Sequence, residues 1–153
     1  MDVESERSAV LAAFEASQAA LLAAIDGPTE AQLTERSLDG WSVKDHLAHL
    51  AQWHELRWLD LTRLAAGYES AVNSTPEQDE AFNAMTVAWR AGLSWQQTLW
   101  EWQTARARVV ETVRTLPADK LALALRDDWP LRTGHEDEHA GYIRSGRTER
   151  GWQ

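Results

Sequence analysis

The chain contains no cysteine. That excludes disulfides, thiolate metal ligands and a cysteine nucleophile, so any metal chemistry must come from histidine and carboxylate side chains. No uninterrupted apolar run approaches the roughly 20 residues of a membrane span, and no membrane association is expected. Basic residues are in deficit: Lys and Arg number 15 against 24 Asp and Glu, a net charge of −9. A phosphate backbone would be repelled by most of such a surface, so no nucleic-acid partner is expected. The opening "MDVESERSAV" is acidic and polar, unlike a secretory leader, and the expected location is the cytoplasm. Strand-like alternation, internal repeats, low-complexity tracts and linkers are all missing. Phe and Tyr occur only twice each.

What is present is one domain's length and a helical pattern. The 153 residues form a single domain, 1–153, long enough for one filled core. "SERSAVLAAFEASQAALLAAID" is Ala- and Leu-rich with helical spacing and stops at Gly27-Pro28. "TEAQL" adds a short turn, with Thr29 and Gln32 at capping-box spacing. "SLDG" reads as a turn. A second long helix runs from an N-cap at Ser42 to about Ala66, with Val43, Leu47, Leu50, Leu61 and Leu64 on one side. "YESAVNSTPEQ" reads as a polar connection, and a helix follows from Asp79 to about Arg90. Ser94 and Gln97 cap a third long helix reaching Leu116, and "PADKLALAL" forms a short extra turn. After the loop "RDDWP", Thr133 and Glu136 have the spacing to cap a last helix, "GHEDEHAGYIRSG". The expected fold is all-α: an antiparallel four-helix bundle with short extra helical turns, a class that builds its sites between facing helices.

Nine tryptophans are many for this length. Trp suits cores, pocket walls and interfaces alike. Trp53 is placed at a pocket mouth or against the third helix. Trp95 and Trp102 share one side of the third helix and are placed as walls for a flat ligand or as a core stripe. The surplus of Trp also fits a homodimer face.

Three of the five histidines fall within "GWSVKDHLAHLAQWHE": His46, His49 and His54. At about 100° per residue, His54 lies near the centre of the apolar face, His46 about 60° to one side and His49 about 110° off. Geometry alone therefore favours His54 or His46 as the buried histidine. The other two, His135 and His139 in "TGHEDEH", are four apart and share a helix face. Two imidazoles so placed suit one divalent metal, and equally a solvated polar surface.

"GWSVKDHLAHLAQWHE" and "TGHEDEH" together resemble the DinB-like superfamily. The resemblance extends to its ClbS/DfsB-like four-helix bundle branch through "PTEAQLTERSLDG", "TLWEWQTARARVVETVRTLPADKL" and Trp129. It implies a metal site made of His49, His135 and His139. Zn, Ni and Fe all suit three imidazoles and are not distinguished by them. The superfamily's thiol-dependent members imply S-transfer with a low-molecular-weight thiol cosubstrate. ClbS-like members imply hydrolysis of a strained electrophile in self-resistance, and some of these work without a metal. The expected function is thus a metal-dependent enzyme, a hydrolase or a thiol-dependent transferase, that acts on a reactive small-molecule substrate in detoxification or self-resistance. A metal-free hydrolase or a sequestering protein is the alternative. His46 departs from the family pattern, which has an apolar residue there, and stands as a pocket residue or a carboxylate partner.

Catalytic candidates are Tyr142, Glu138 and His46. Tyr142 follows His139 by three and would donate a hydrogen bond. Glu138 is also readable as a solvated charge. Asp45 is readable as an N3 helix carboxylate or as a group orienting His49.

Overall fold

The computed structural model describes residues 2–37 and 40–153. These form seven helices and no β-strand: α1 (Val3–Ile25), α2 (Glu30–Thr34), α3 (Val43–Ala65), α4 (Pro76–Trp89), α5 (Trp95–Thr115), α6 (Ala118–Ala124) and α7 (His135–Arg150). The turn expected over 37–40 includes Leu38 and Asp39, which lie outside the described residues.

The helix starts follow local chemistry. Capping boxes close α2 (Thr29/Gln32), α3 (Ser42/Asp45) and α5 (Ser94/Gln97). Asp45 accepts from Ser42 N at 2.9 Å and donates its own amide to Ser42 Oγ at 3.0 Å. It is the N3 carboxylate of α3, and the alternative of orienting His49 is not realised. The start of α4 differs from the expectation: Thr75 and Gln78 form a further capping box with Pro76 at the first turn. Proline fits there because the first helical N–H has no intrahelical partner. The start of α7 is also corrected. Gly134 is its N-cap, with no side-chain cap, and Glu136 turns inward instead of pairing with Thr133.

α1, α3, α5 and α7 form the bundle. Arg7 of α1 bonds the Val113 carbonyl at the end of α5, and Arg147 of α7 bonds the Ala24 carbonyl at the end of α1. Lys44 of α3 reaches the Leu93 carbonyl just before α5, while Arg108 lies over Trp58 farther along both helices. So α1 and α7 run together, α3 and α5 run together, and the two pairs are antiparallel. The long α3–α5 connection carrying α4 is the crossover that permits two successive long helices to run the same way.

Two apolar clusters fill the bundle. One contains Leu21, Ala24, Val43, Leu47, Leu50, Trp95, Trp102 and Ile143. The other contains Phe14, Leu61, Leu64, Val109, Val113, Leu121 and Leu131. α7 spans only 16 residues, about 24 Å at 1.5 Å per residue, and begins midway along the bundle. α6 and Leu131 take its place in the second cluster. Between the clusters lies a layer of buried polar groups: Ser17, His54, Arg106 and Glu136.

α1 is long and apolar enough to cross a membrane by length and composition, which the count of uninterrupted runs passed over. Its alanines supply that apolar character on both sides of the helix. In the fold, Phe14, Ser17, Leu21, Ala24 and Ile25 are buried against the bundle.

Candidate metal centre

α3 and the first turns of α7 face each other across one side of the bundle and bring four histidines together. His49 Nε2 lies 2.9 Å from His135 Nε2, which lies 3.2 Å from His139 Nε2. Ligand atoms of the three all lie within 4.8 Å of one another. The i, i+4 spacing of His135 and His139 stacks them on one face of α7. His49 lies well off the apolar centre of α3 and is buried because α7 covers that flank. His46, one turn earlier, places Nδ1 2.7 Å from His139 Nδ1.

Burial governs the chemistry of this cluster. His49, His135 and His139 are all within a tenth of full burial. Loss of water disfavours the charged imidazolium, and the neighbouring histidines add repulsion. His49 is pushed down to about 3, chiefly by burial and then by His46. His139 is pushed down to about 2, by burial and then by His49 and His46. His135 is lowered further, first by burial and then by the Arg57 guanidinium. At neutral pH all three rings are neutral and each has a lone pair, the form a metal requires. Three convergent neutral imidazoles fit a divalent ion with open positions for other ligands. The outer nitrogen of His139 is held by His46, as metal-bound histidines commonly are.

The cluster sits in a cleft of about 1060 Å³. Trp41, Trp53 and Trp129 line it, with Arg57, Asn83, Arg132, Glu138 and Tyr142. Trp53 donates to Asn83 Oδ1 at 2.8 Å and meets the Trp129 ring edge-to-face at 5.1 Å. Trp129 donates to Asp60 Oδ2 at 3.2 Å. Tyr142 is half exposed and donates to Glu138 Oε1 at 3.0 Å. That bond, and the charge of Glu138, raise the phenol above its usual value, so Tyr142 stays protonated and is a donor. Glu138 is held on its other side by Arg132 at 2.6 Å.

Two expected pocket residues lie elsewhere. Trp95 and Trp102 belong to the apolar core and do not reach the cleft. Seven residues apart, they share the α5 stripe continued by Val109, and that stripe faces the interior. Trp102 is fully buried and donates to Glu136 Oε1 at 2.8 Å. Sequence reasoning missed Arg57 and Asn83. Arg57 had a readable signal, since it follows His46 by eleven residues and His54 by three and so lies on the inward side of α3.

No curated protein matches the chain. A crystal structure of an uncharacterised protein from Escherichia coli UTI89 is similar, with a TM-score of 0.79 and 14% identity over 96% of this chain and 95% of that one. At that identity the likeness concerns the fold alone. The family description "DinB superfamily" matches residues 13–143, from α1 into α7, a span that includes all three convergent histidines. The chain belongs to the DinB superfamily.

Proposed function

We propose that the protein is a metal-dependent enzyme acting on a reactive small molecule bound in the cleft, by hydrolysis of an electrophile or by transfer of a thiol sulfur to it. The observation that carries this reading is the convergence of His49, His135 and His139 Nε2 atoms as neutral imidazoles on a cleft of substrate size. His49, His135 and His139 would hold a divalent ion, which would supply Lewis acidity to activate water or a thiol at neutral pH. His46 fixes the ring of His139. Trp41, Trp53 and Trp129 give the substrate flat apolar walls and restrict water. Tyr142, its ring 5.7 Å from His139, directs its phenol proton to Glu138 and presents the phenol oxygen as an acceptor at the cleft. The resemblance to the ClbS/DfsB-like branch supports detoxification or self-resistance, in the cytoplasm, as the setting.

The test is turnover of strained-ring and α,β-unsaturated electrophiles by Zn-, Ni- or Fe-loaded protein, with and without a small thiol, followed by mass spectrometry. The reading predicts conversion that is lost in His49→Ala and in chelator. A ligand that quenches Trp emission yet is recovered chemically unchanged from every loaded form would instead favour sequestration.

A further inference from the structure

Arg57 carries a charge that the fold leaves unbalanced. Its side chain is 1% exposed, and its Nε and Nη1 have no hydrogen-bond partner. Nη2 lies 3.3 Å from His135 Nδ1, and the guanidinium carbon sits 5.2 Å above the Trp129 ring. Among the described residues, no carboxylate stands within ion-pairing distance of it. The two nearby buried carboxylates are engaged: Glu136 by Arg106, His54 and Trp102, and Asp60 by Arg63, Ser70 and Trp129. A guanidinium held out of water with unpaired hydrogens is costly unless an anion answers it. Arg57 lines the same cleft as the histidine cluster.

We infer that Arg57 anchors a carboxylate-binding subsite beside the histidine cluster, and that the substrate of this cleft carries a carboxylate. The inference rests on the reading of the cleft as a substrate site. Charge selects the ligand: one unpaired monocation is neutralised by one monoanion. The other charges lining the cleft balance, Arg36, Arg132 and Arg150 against Asp79, Glu138 and Glu149, so Arg57 leaves one net positive charge, which a monoanion matches and a dianion such as phosphate exceeds. Geometry agrees, because a planar carboxylate matches the edge of a planar guanidinium.

The histidines point the same way. A neutral His135 that binds a metal through Nε2 keeps its proton on Nδ1, facing Arg57. Arginine has donors only. The two donors then stand 3.3 Å apart with no acceptor. A carboxylate that accepts from Arg57 beside His135 supplies one. The subsite therefore lies on the Nδ1 side of His135, across its ring from the Nε2 that faces His49.

The test titrates benzoate into the full-length protein, both chelator-treated and Zn-loaded. Neutral benzamide and inorganic phosphate are the comparisons. Trp fluorescence reports binding, and the Arg57 Nε–H NMR signal, assigned through its contacts with the Trp129 ring, reports the place. Benzoate is expected to shift that signal in both forms, benzamide to bind at least about tenfold more weakly, and Arg57→Lys to weaken benzoate by about tenfold or more without changing benzamide. An Arg57 signal that saturating benzoate leaves in place overturns the inference, and the wild-type spectrum decides this even if Arg57→Lys fails to fold. Equal affinity for benzamide overturns it too. Phosphate binding at Arg57 as tightly as benzoate overturns the assignment of a carboxylate. Failure of the metal reading shows separately, as protein that takes up no Zn while benzoate still moves Arg57.

Discussion

Glu136 Oε1 of α7 lies 2.9 Å from His54 Nε2 of α3, deep in the bundle. Burial lowers the basicity of His54, so its neutral ring donates to the carboxylate. The same carboxylate accepts from Trp102 Nε1 at 2.8 Å and from Arg106 Nε at 3.4 Å. Arg106 in turn donates to the Phe14 carbonyl of α1 at 2.5 Å. One carboxylate thereby ties all four bundle helices, and it directly follows His135. Burial alone would raise Glu136, but the bonds from His54 and the charge of Arg106 outweigh it and hold the group below its ordinary value.

Replacing Glu136 by Gln keeps the shape and removes the charge that balances buried Arg106. The expected cost is about 3–5 kcal/mol of folding stability, the range for breaking one side of a buried ion pair. Urea unfolding of wild type and Glu136→Gln measures it. A loss under about 1 kcal/mol would show that the network does not clamp the bundle.

His46 acts through its neighbour. It meets His139 at the nitrogen opposite the convergent one. His46→Ala is expected to weaken Zn binding by about 10–100-fold while leaving the helical fold intact. Competition titration against a chromophoric chelator, with circular dichroism as the fold control, checks both parts.

Asp60 contributes to the pH dependence of stability on the acid side. Burial alone would raise its carboxyl, but hydrogen bonds from Ser70, Ala71, Arg63 and Trp129 hold it below the ordinary carboxylate value. A group with a depressed folded-state pKa stabilises above its unfolded pKa of about 3.9, and that contribution disappears as the pH falls through the folded value. Asp60→Asn should therefore cost about 1–3 kcal/mol at pH 7 and progressively less below about pH 4. Denaturant unfolding of both proteins at a series of pH values reads the difference. A gap that stays constant into the acid range would contradict the assignment.

Thr75 caps α4, the helix that brings Asn83 to the cleft and Phe82 against the Trp53 ring. Thr75→Ala should lower stability by about 1 kcal/mol, the usual cost of a lost N-cap side chain. The amides of 76–80 should exchange faster with solvent, while those of α3 keep their protection.

Much of the fold was legible because its signals are local. Ser42-x-x-Asp45 and Ser94-x-x-Gln97 cap their helices through groups only three residues apart. The same rule misread Thr133 and Glu136, because a long-range network of His54, Trp102 and Arg106 competes for that carboxylate and wins. Thr75-x-x-Gln78 lies within a stretch rich in turn residues, where the loop signal masks a capping box and a proline that suits a first helical turn. The direction of α5 relative to α3 depends on how the 66–94 connection crosses the bundle, which no local pattern encodes. His135 and His139 were readable as a pair from their spacing. His49 was reached through the family resemblance, since its own angle on α3 argues against burial until α7 covers it. Trp95 and Trp102 show the limit of composition: a tryptophan seven residues from another marks a buried stripe as readily as a pocket wall.

The central claim is that His49, His135 and His139 hold one metal ion. The most direct measurement is metal content by mass spectrometry of protein purified without a histidine tag and equilibrated with Zn, Ni or Fe(II), beside a His49→Ala/His139→Ala double variant whose helicity is verified. The account predicts about one ion per chain in the wild type and none retained in the folded double variant. Equal metal content in the two proteins, or none in the wild type, would contradict it.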